Sequence, residues 1–529
     1  MAFSTPRMSN RASPFPRTSP TRARSPTRTE QTLVLKQVSG STAASNNGFA
    51  TVASKGLFAF VAGAGAVLVV LEDDGQLTQR FYHARPSVAP FVTTPSIYES
   101  PTPAGQQGAR QRTAASLRES GYGVAAAGYP WNDTTDSPNA RSGAASKTKA
   151  ASCVALSPDG KLMAVGETGH KPRVLLFSTA KDGPRDIPQN ALSEHTFGVR
   201  CLAFSPDSQY LASLGDTNDG FLYIWTINQR MGTAYLKASN KCTSNLKQIV
   251  WMGNSLVTIG TRHVKIWRLD QPNTSPNKRL SDAGTAFCSP SSRTLFGRNC
   301  LLGPMLDKTF IAIVPISDVQ AIVCSDTGDI CLLDDSPVPA FTRIADCGFS
   351  ITAVAVASRD CVLMTGLDKQ MRELDIRSNS GLLLPDSPVA LQRASFDNES
   401  SLAFPITALG LVKEVLVVVD RNSGSHLYDK IKTDDELSFT QKQSFPAHPT
   451  AVLGLRALDR NAGADAFVTW STDGTVICWS ANGSSTNTVK IALEQVREPG
   501  DDYLNELRVF NTVSKGSLLV TGDRLGVLR

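Results

Sequence analysis

Residues 195–225 read HTFGVRCLAFSPDSQYLASLGDTNDGFLYIW, and residues 448–479 read HPTAVLGLRALDRNAGADAFVTWSTDGTVICW. Each stretch opens on a His, turns at an Asp-Gly pair (Asp219-Gly220, Asp473-Gly474) and closes on a Trp six residues after that Asp. A pattern that recurs within one chain marks a repeat architecture. It also shifts the functional question from catalysis towards binding.

Working outward, the patterned sequence consists of short alternating apolar runs separated by polar turns, with almost no helical periodicity. Nine units emerge, at about 48–84, 150–180, 196–235, 244–270, 299–336, 349–377, 403–431, 448–482 and 503–529. Each starts on an inner run such as CVALS or CLAFS, turns, and adds further strands that end on an aromatic residue or Leu. Their spacing of roughly 40–50 residues matches four-stranded propeller blades. The fold class is therefore all-β: a β-propeller of about seven blades closing one ring, plus the start of a second. The alternative is a first ring left open, waiting for a strand from downstream.

The units divide the chain. Residues 1–45 form a Ser/Thr/Pro/Arg tail, 46–85 a first blade, and 86–149 a Ser/Ala/Gly/Pro-rich insertion. Residues 150–436 carry the remaining blades of the first ring, and 437–529 further blades, the start of a truncated second ring. Tail and insertion hold too few large apolar residues to offset the entropy of ordering, so both are expected to be disordered.

Charge is unevenly placed. Arg7, Arg11, Arg17, Arg22, Arg24 and Arg28 all precede the first acid, Glu30, so the tail accounts for the chain's net +6. The folded body is near neutral and implies no acidic partner. Ten cysteines show no Cys-x-x-Cys pairing or His cluster, so neither a zinc site nor a disulfide framework is indicated. Several sit in apolar runs, as reduced core residues of a cytosolic or nuclear protein do. Residues 56–71, GLFAFVAGAGAVLVVL, are too short to span a bilayer and read as two strands around a glycine turn. The prolines among residues 6–26 break the amphipathic helix that a mitochondrial presequence requires.

The units resemble WD40 repeats. In that family a His, a Ser or Thr, an Asp and a Trp form a hydrogen-bonded chain across the blade. His195, Ser213, Asp219 and Trp225 fit one such set, and His448, Thr469, Asp473 and Trp479 another. The chemistry is structural, because a buried carboxylate and indole N–H both need partners. Other units are looser: Phe177 stands where Trp belongs, the fourth keeps Trp267 without the Asp turn, and the sixth keeps Asp368 but closes on Leu374-Asp375.

A closer resemblance rests on GETGHKPRVLLFS (166–178), EHTFGVRCLAFSPDSQYLASLG (194–215), ASNKCTSNLKQIVWMGNSLVTIGTRHVKIWRLD (238–270) and the opening segment 47–76. In this order they look like the N-terminal propeller region of the mitogen-activated protein kinase-binding protein 1 and WD repeat-containing protein 62 family. That resemblance implies tandem propellers, stress-kinase scaffolding and, for some members, spindle poles. The final residues, TGDRLGVLR, are expected to stop inside a blade, two residues short of its closing aromatic. The family's kinase-docking region is not carried over.

No phosphate loop, His-Glu-x-x-His or Gly-x-Ser-x-Gly motif is present, and GAGAVL lacks the third glycine of a dinucleotide fingerprint. His83, His170, His263 and His426 show no acid or Cys nearby that would suggest a ligand set. The reading has no catalytic residue, cofactor, metal or small-molecule substrate. Thr5, Ser13, Ser19 and Ser25 each precede Pro and are candidate phosphoacceptors. Four phosphates would add roughly −6 to −8 charges and reverse the tail's sign, releasing it from an acidic surface. The expected function is a non-enzymatic scaffold with kinase or cytoskeletal protein partners, cytoplasmic and associated with cytoskeleton, spindle or nucleus. The rival is a nucleic-acid or chromatin adaptor using the basic tail.

Overall fold

The computed structural model describes residues 35–84, 148–269, 293–336, 338–358, 361–376, 390–397, 402–403, 405–432, 437–458, 465–493, 505–513 and 518–528. Residues 1–36 form one unit, of which only Leu35 and Lys36 are described; residues 37–529 form the other. The four candidate phosphoacceptors and nearly all of the expected insertion lie outside the described residues.

Described secondary structure is strand throughout, apart from three short 3-10 turns. Residues 56–71 show why. Strands Leu57–Ala62 and Gly65–Leu71 pair antiparallel around Gly63, whose φ of 59° suits a glycine turn. The run is apolar on both faces because both are covered. Ala59, Val61, Ala66 and Leu68 pack towards the second sheet, while Phe58, Phe60, Val67 and Val69 pack towards the seventh. Period-two alternation thus separates two cores rather than core from water.

Seven sheets repeat this arrangement. Their innermost strands are Phe49–Val52, Ala151–Leu156, Val199–Phe204, Leu246–Met252, Phe310–Pro315, Ile351–Ser358 and Ile406–Val412. Each innermost strand contacts the next around the circle, and Ile406–Val412 meets Phe49–Val52. These seven sheets form a closed β-propeller.

Closure uses no borrowed strand: the first and seventh sheets each consist of four consecutive strands of their own. Side chains make the seam. Gly410 lies against Phe49 and Thr51, and Lys413 Nζ reaches Asp73 at 2.6 Å and donates to the Leu71 carbonyl at 3.1 Å. Residues 37–43 latch both sides. Val38 N–H donates to Gln79 Oε1 (2.9 Å), Thr42 N–H to Val61 O (2.9 Å) and Ser41 N–H to Ser423 O (2.8 Å). The tail expected to extend to residue 45 is therefore built into the fold from residue 37 onward.

The expected boundary after residue 436 is also displaced. Strand Leu437–Phe445 pairs antiparallel with Ser425–Lys432 and is the outer strand of the seventh sheet. It also pairs in parallel with the sixth sheet's outer strand Ala390–Phe396, merging the two sheets at their rims. Two sheets come after the ring: one of strands Val452–Ala457, Asp465–Ser471, Thr475–Ser480 and Ser485–Lys490, and a pair, Leu507–Val513 with Leu518–Asp523. No helix among the described residues is long and apolar enough to cross a membrane.

Candidate functional site

In the third sheet the predicted set comes together. His195 Nδ1 lies 2.7 Å from Asp219 Oδ2, and its Nε2 lies 2.9 Å from Ser213 Oγ. Trp225 Nε1–H donates to the same hydroxyl at 3.0 Å, and Thr196 N–H donates to Asp219 Oδ1 at 2.7 Å. His195 and Ser213 are buried, and Trp225 is fully enclosed. Burial works to raise the Asp219 carboxyl, but the bonds from His195 and Thr196 outweigh it and hold it below its ordinary value. The loop before the inner strand is thereby tied to the turn between the second and third strands.

The eighth sheet differs in one link. His448 Nε2 lies 2.7 Å from Thr469 Oγ1, which accepts Trp479 Nε1–H at 2.7 Å. His448 Nδ1 faces Ser471 Oγ at 2.9 Å, and Ser471 in turn donates to Asp473 at 2.6 Å. Asp473 therefore reaches the His only through an intervening serine. Burial raises it, but Ser471, Thr475 and Thr450 together hold it at about 2.

Two histidines read as isolated have partners. His426 Nε2 lies 3.2 Å from Asp420 Oδ2 and its Nδ1 3.0 Å from Ser444 Oγ. His263 Nε2 lies 2.9 Å from Thr258 Oγ1, which also accepts Trp267 Nε1–H at 3.0 Å. Here the His comes from the third strand instead of the loop before the first. Burial, reinforced by Lys265, pushes His263 down to about 4. In the fifth sheet Lys308 and Arg343 flank Asp329 at 3.0 and 2.6 Å. Burial raises Asp329, but hydrogen bonds from Lys308, Thr327 and Ser325 hold it at about 2. Asp368 is exposed and joins no such set.

Inside the ring lies a cavity of about 730 Å³. It lies where the inner strands begin: every sheet of the ring contributes, from Asn46 and Asn47 before the first strand to Ile406 and Thr407 of the seventh. Arg200, Lys247, His170 and Asp216 are its titratable lining. Arg200 reaches Asp216 at 3.5 Å, and His170 packs on Phe197 with ring centres 5.6 Å apart. Among the described residues no three His, Cys, Asp or Glu side chains converge as a metal-ligand set. The described cysteines are free, and burial pushes the Cys153 and Cys331 thiols up to about 12, far from the thiolate a nucleophile requires.

A family model described as WD domain, G-beta repeat matches residues 187–226, the segment holding the His195–Trp225 network. Cilia- and flagella-associated protein 52 of Bos taurus is 27% identical over 227 residues, covering 41% of this chain and 32% of that protein. The Chlamydomonas reinhardtii protein of that name is 26% identical over 243 residues, 39% of this chain and 37% of its own length. WD repeat-containing protein 90 of Mus musculus is 30% identical over 125 residues, 22% of this chain and 6% of that protein. The chain thus spans little more than a third, at most, of these relatives. Among solved structures, the Cps50 (Swd1) β-propeller domain of Myceliophteria thermophila aligns with a TM-score of 0.41 and 13% identity, over 65% of this chain and 98% of that one. A chain of the mitotic checkpoint complex aligns at 0.43 and 12%, over 79% and 97%. With the repeat matched in sequence and its polar network in place, the chain is a WD40-repeat protein, homologous to other WD-repeat proteins.

Proposed function

We propose that the chain is a non-enzymatic protein-interaction scaffold of cytoskeletal structures, cilia and flagella foremost. The channel mouth carries this reading. It is an open cavity lined by residues from each of seven sheets, and its titratable groups are Arg200, Lys247, His170 and Asp216. Such a surface holds a partner in a fixed pose and offers no paired acid and base for chemistry. The relatives named for cilia and flagella supply the cellular setting. Residues 446–529 serve as the start of a second ring.

A second reading builds on the likeness of residues 166–270 to the mitogen-activated protein kinase-binding protein 1 family, with kinase or spindle partners and a tail regulated by phosphorylation. Proximity labelling with the full chain, in ciliated and in dividing cells, separates the two. Axonemal and basal-body neighbours support the first, and kinases and spindle-pole proteins the second. Labelling no different from that of a chain carrying unfolded sheets would end the scaffold reading. Glutamate at Ser13, Ser19 and Ser25 is expected to weaken cytoskeletal association, and unchanged association refutes tail control.

A further inference from the structure

The chain holds two Asn-Gly pairs, Asn47-Gly48 and Asn482-Gly483, and the structure treats them oppositely. An Asn followed by Gly can lose its side-chain amide to its own backbone, because no Cβ shields the glycine nitrogen. Asn47 is fastened. Its Nδ2 donates to the Lys247 carbonyl at 2.8 Å, and Gly48 is buried in a 3-10 turn with its N–H on Ser45 O at 3.0 Å. A Cβ on Gly48 would meet that of Ala43 at 2.7 Å, so the turn is tightly packed. Asn482 instead stands exposed in the hairpin turn between strands Thr475–Ser480 and Ser485–Lys490 of the eighth sheet. Gly483 follows at a φ of 87°, and its N–H donates to Ser480 O at 3.0 Å, a surface bond that water can replace. Ser484 N–H donates to Asn482 Oδ1 at 3.1 Å and closes an Asx turn, which folds the carboxamide back over the Asn482–Gly483 peptide. The Ser484 hydroxyl donates to the same oxygen at 2.8 Å, and the Ser480 hydroxyl also reaches it. Donors aimed at a carbonyl oxygen stabilise the negative charge that grows there when its carbon is attacked.

We propose that Asn482 is a modification site made by the protein itself: a deamidation site, built by this turn, whose main product is an isoaspartyl residue. The Gly483 nitrogen gives its proton to a solvent base and bonds to Asn482 Cγ. The Cγ–Nδ2 bond then breaks, and ammonia leaves with a proton taken from water, closing a succinimide ring. Water adds to one of the two ring carbonyls. Opening at one gives Asp, and opening at the other routes the main chain through the former side chain as isoaspartate. The added main-chain methylene lies beside the Trp479–Ser485 pairing, so it slackens the strand whose indole N–H holds Thr469. The exposed isoaspartyl carboxylate is the chemical substrate of a methyltransferase that draws on S-adenosylmethionine. None of this depends on which partner the scaffold holds.

The full chain is aged in mildly alkaline buffer at physiological temperature, folded and in guanidinium chloride, and both Asn-Gly peptides are followed by mass spectrometry. Unfolding removes the hairpin turn and the 3-10 clamp, so the denatured chain gives the rate set by sequence alone. Folding is expected to slow Asn47 by at least about tenfold while leaving Asn482 at or above its denatured rate. An isoaspartyl methyltransferase with radiolabelled S-adenosylmethionine should label the aged wild type and leave aged Asn482→Gln close to background. Ser484→Ala, which loses the hydroxyl and keeps the N–H, should slow Asn482 by about threefold, the worth of one exposed hydrogen bond. Three results overturn the proposal: Asn482 slowed by folding as strongly as Asn47, equal label on wild type and Asn482→Gln, or a Ser484→Ala chain that deamidates at the wild-type rate or faster. The wild-type comparison, folded against denatured, decides even where a variant is unstable.

Discussion

Asp219 and Asp473 occupy the same turn in two sheets, yet only Asp219 touches the histidine. Asp219→Ala leaves His195 Nδ1 and Thr196 N–H without an acceptor in a dry site, and should cost about 3 kcal/mol. Asp473→Ala leaves His448 still held by Thr469 and Ser471 and takes the acceptor from three half-buried hydroxyls, and should cost about 2 kcal/mol. Urea unfolding measures both, and a larger loss for Asp473→Ala than for Asp219→Ala would contradict this ranking. His263 sets a pH dependence. Its folded pKa of about 4 lies below the ordinary 6.5, so between these values the unfolded chain binds the extra proton. Its contribution to stability is complete above pH 6.5 and is lost as pH falls towards 4. His263→Gln keeps a bond to Thr258 without titrating, so the drop in Tm between pH 7 and pH 4.5 should shrink; an unchanged drop refutes this. Asp329 and Asp473, held at about 2, act in a separate window: their stabilisation is present above about pH 4 and is lost between pH 4 and 2. The His195 set was legible because its members stand at repeat spacing. His263 and His426 were not, since Thr258 and Ser444 lie on neighbouring strands that only pairing brings alongside.

At the scale of the strand, a continuous apolar run proved as readable as an alternating one. Residues 56–71 form the expected hairpin because two neighbouring sheets cover both its faces. Strand Leu437–Phe445 escaped notice because LSFTQKQSF buries only Leu437 and Phe439 and otherwise looks like a polar connector. The latch at 37–43 was equally hidden, since its hydrogen bonds are made by backbone groups that any sequence possesses. The seam between the first and seventh sheets offers a direct test. A Cβ on Gly410 would meet the Phe49 ring and the Thr51 methyl at 2.6 Å. Gly410→Val should therefore destabilise the ring by about 2 kcal/mol or more, read as a lower Tm with faster proteolysis near the seam. A wild-type Tm would mean that the two sheets do not bear on each other there.

At the scale of the molecule, the nine units could be read from repeat spacing, but the limits of the ring could not. Nor could the cavity, because its lining comes from seven sheets far apart in sequence. With all strands of the first seven sheets contained in residues 37–445, that segment should fold alone and melt in one cooperative transition close to the ring transition of the full chain. A fragment that aggregates or melts without cooperativity would show that the ring depends on residues 446–529. Closure without a shared strand also has a consequence in time. The outer face of the first sheet, Phe58, Phe60, Val67 and Val69, finds its cover only in Ala408, Val415, Val417 and neighbouring residues. From Phe60 to Ala408 is 408 − 60 = 348 residues of chain. At about 5–20 residues per second, a ribosome needs roughly 20–70 s to make them. For that interval the nascent chain holds a greasy β-surface with no mate, which stays uncovered until the seventh sheet emerges.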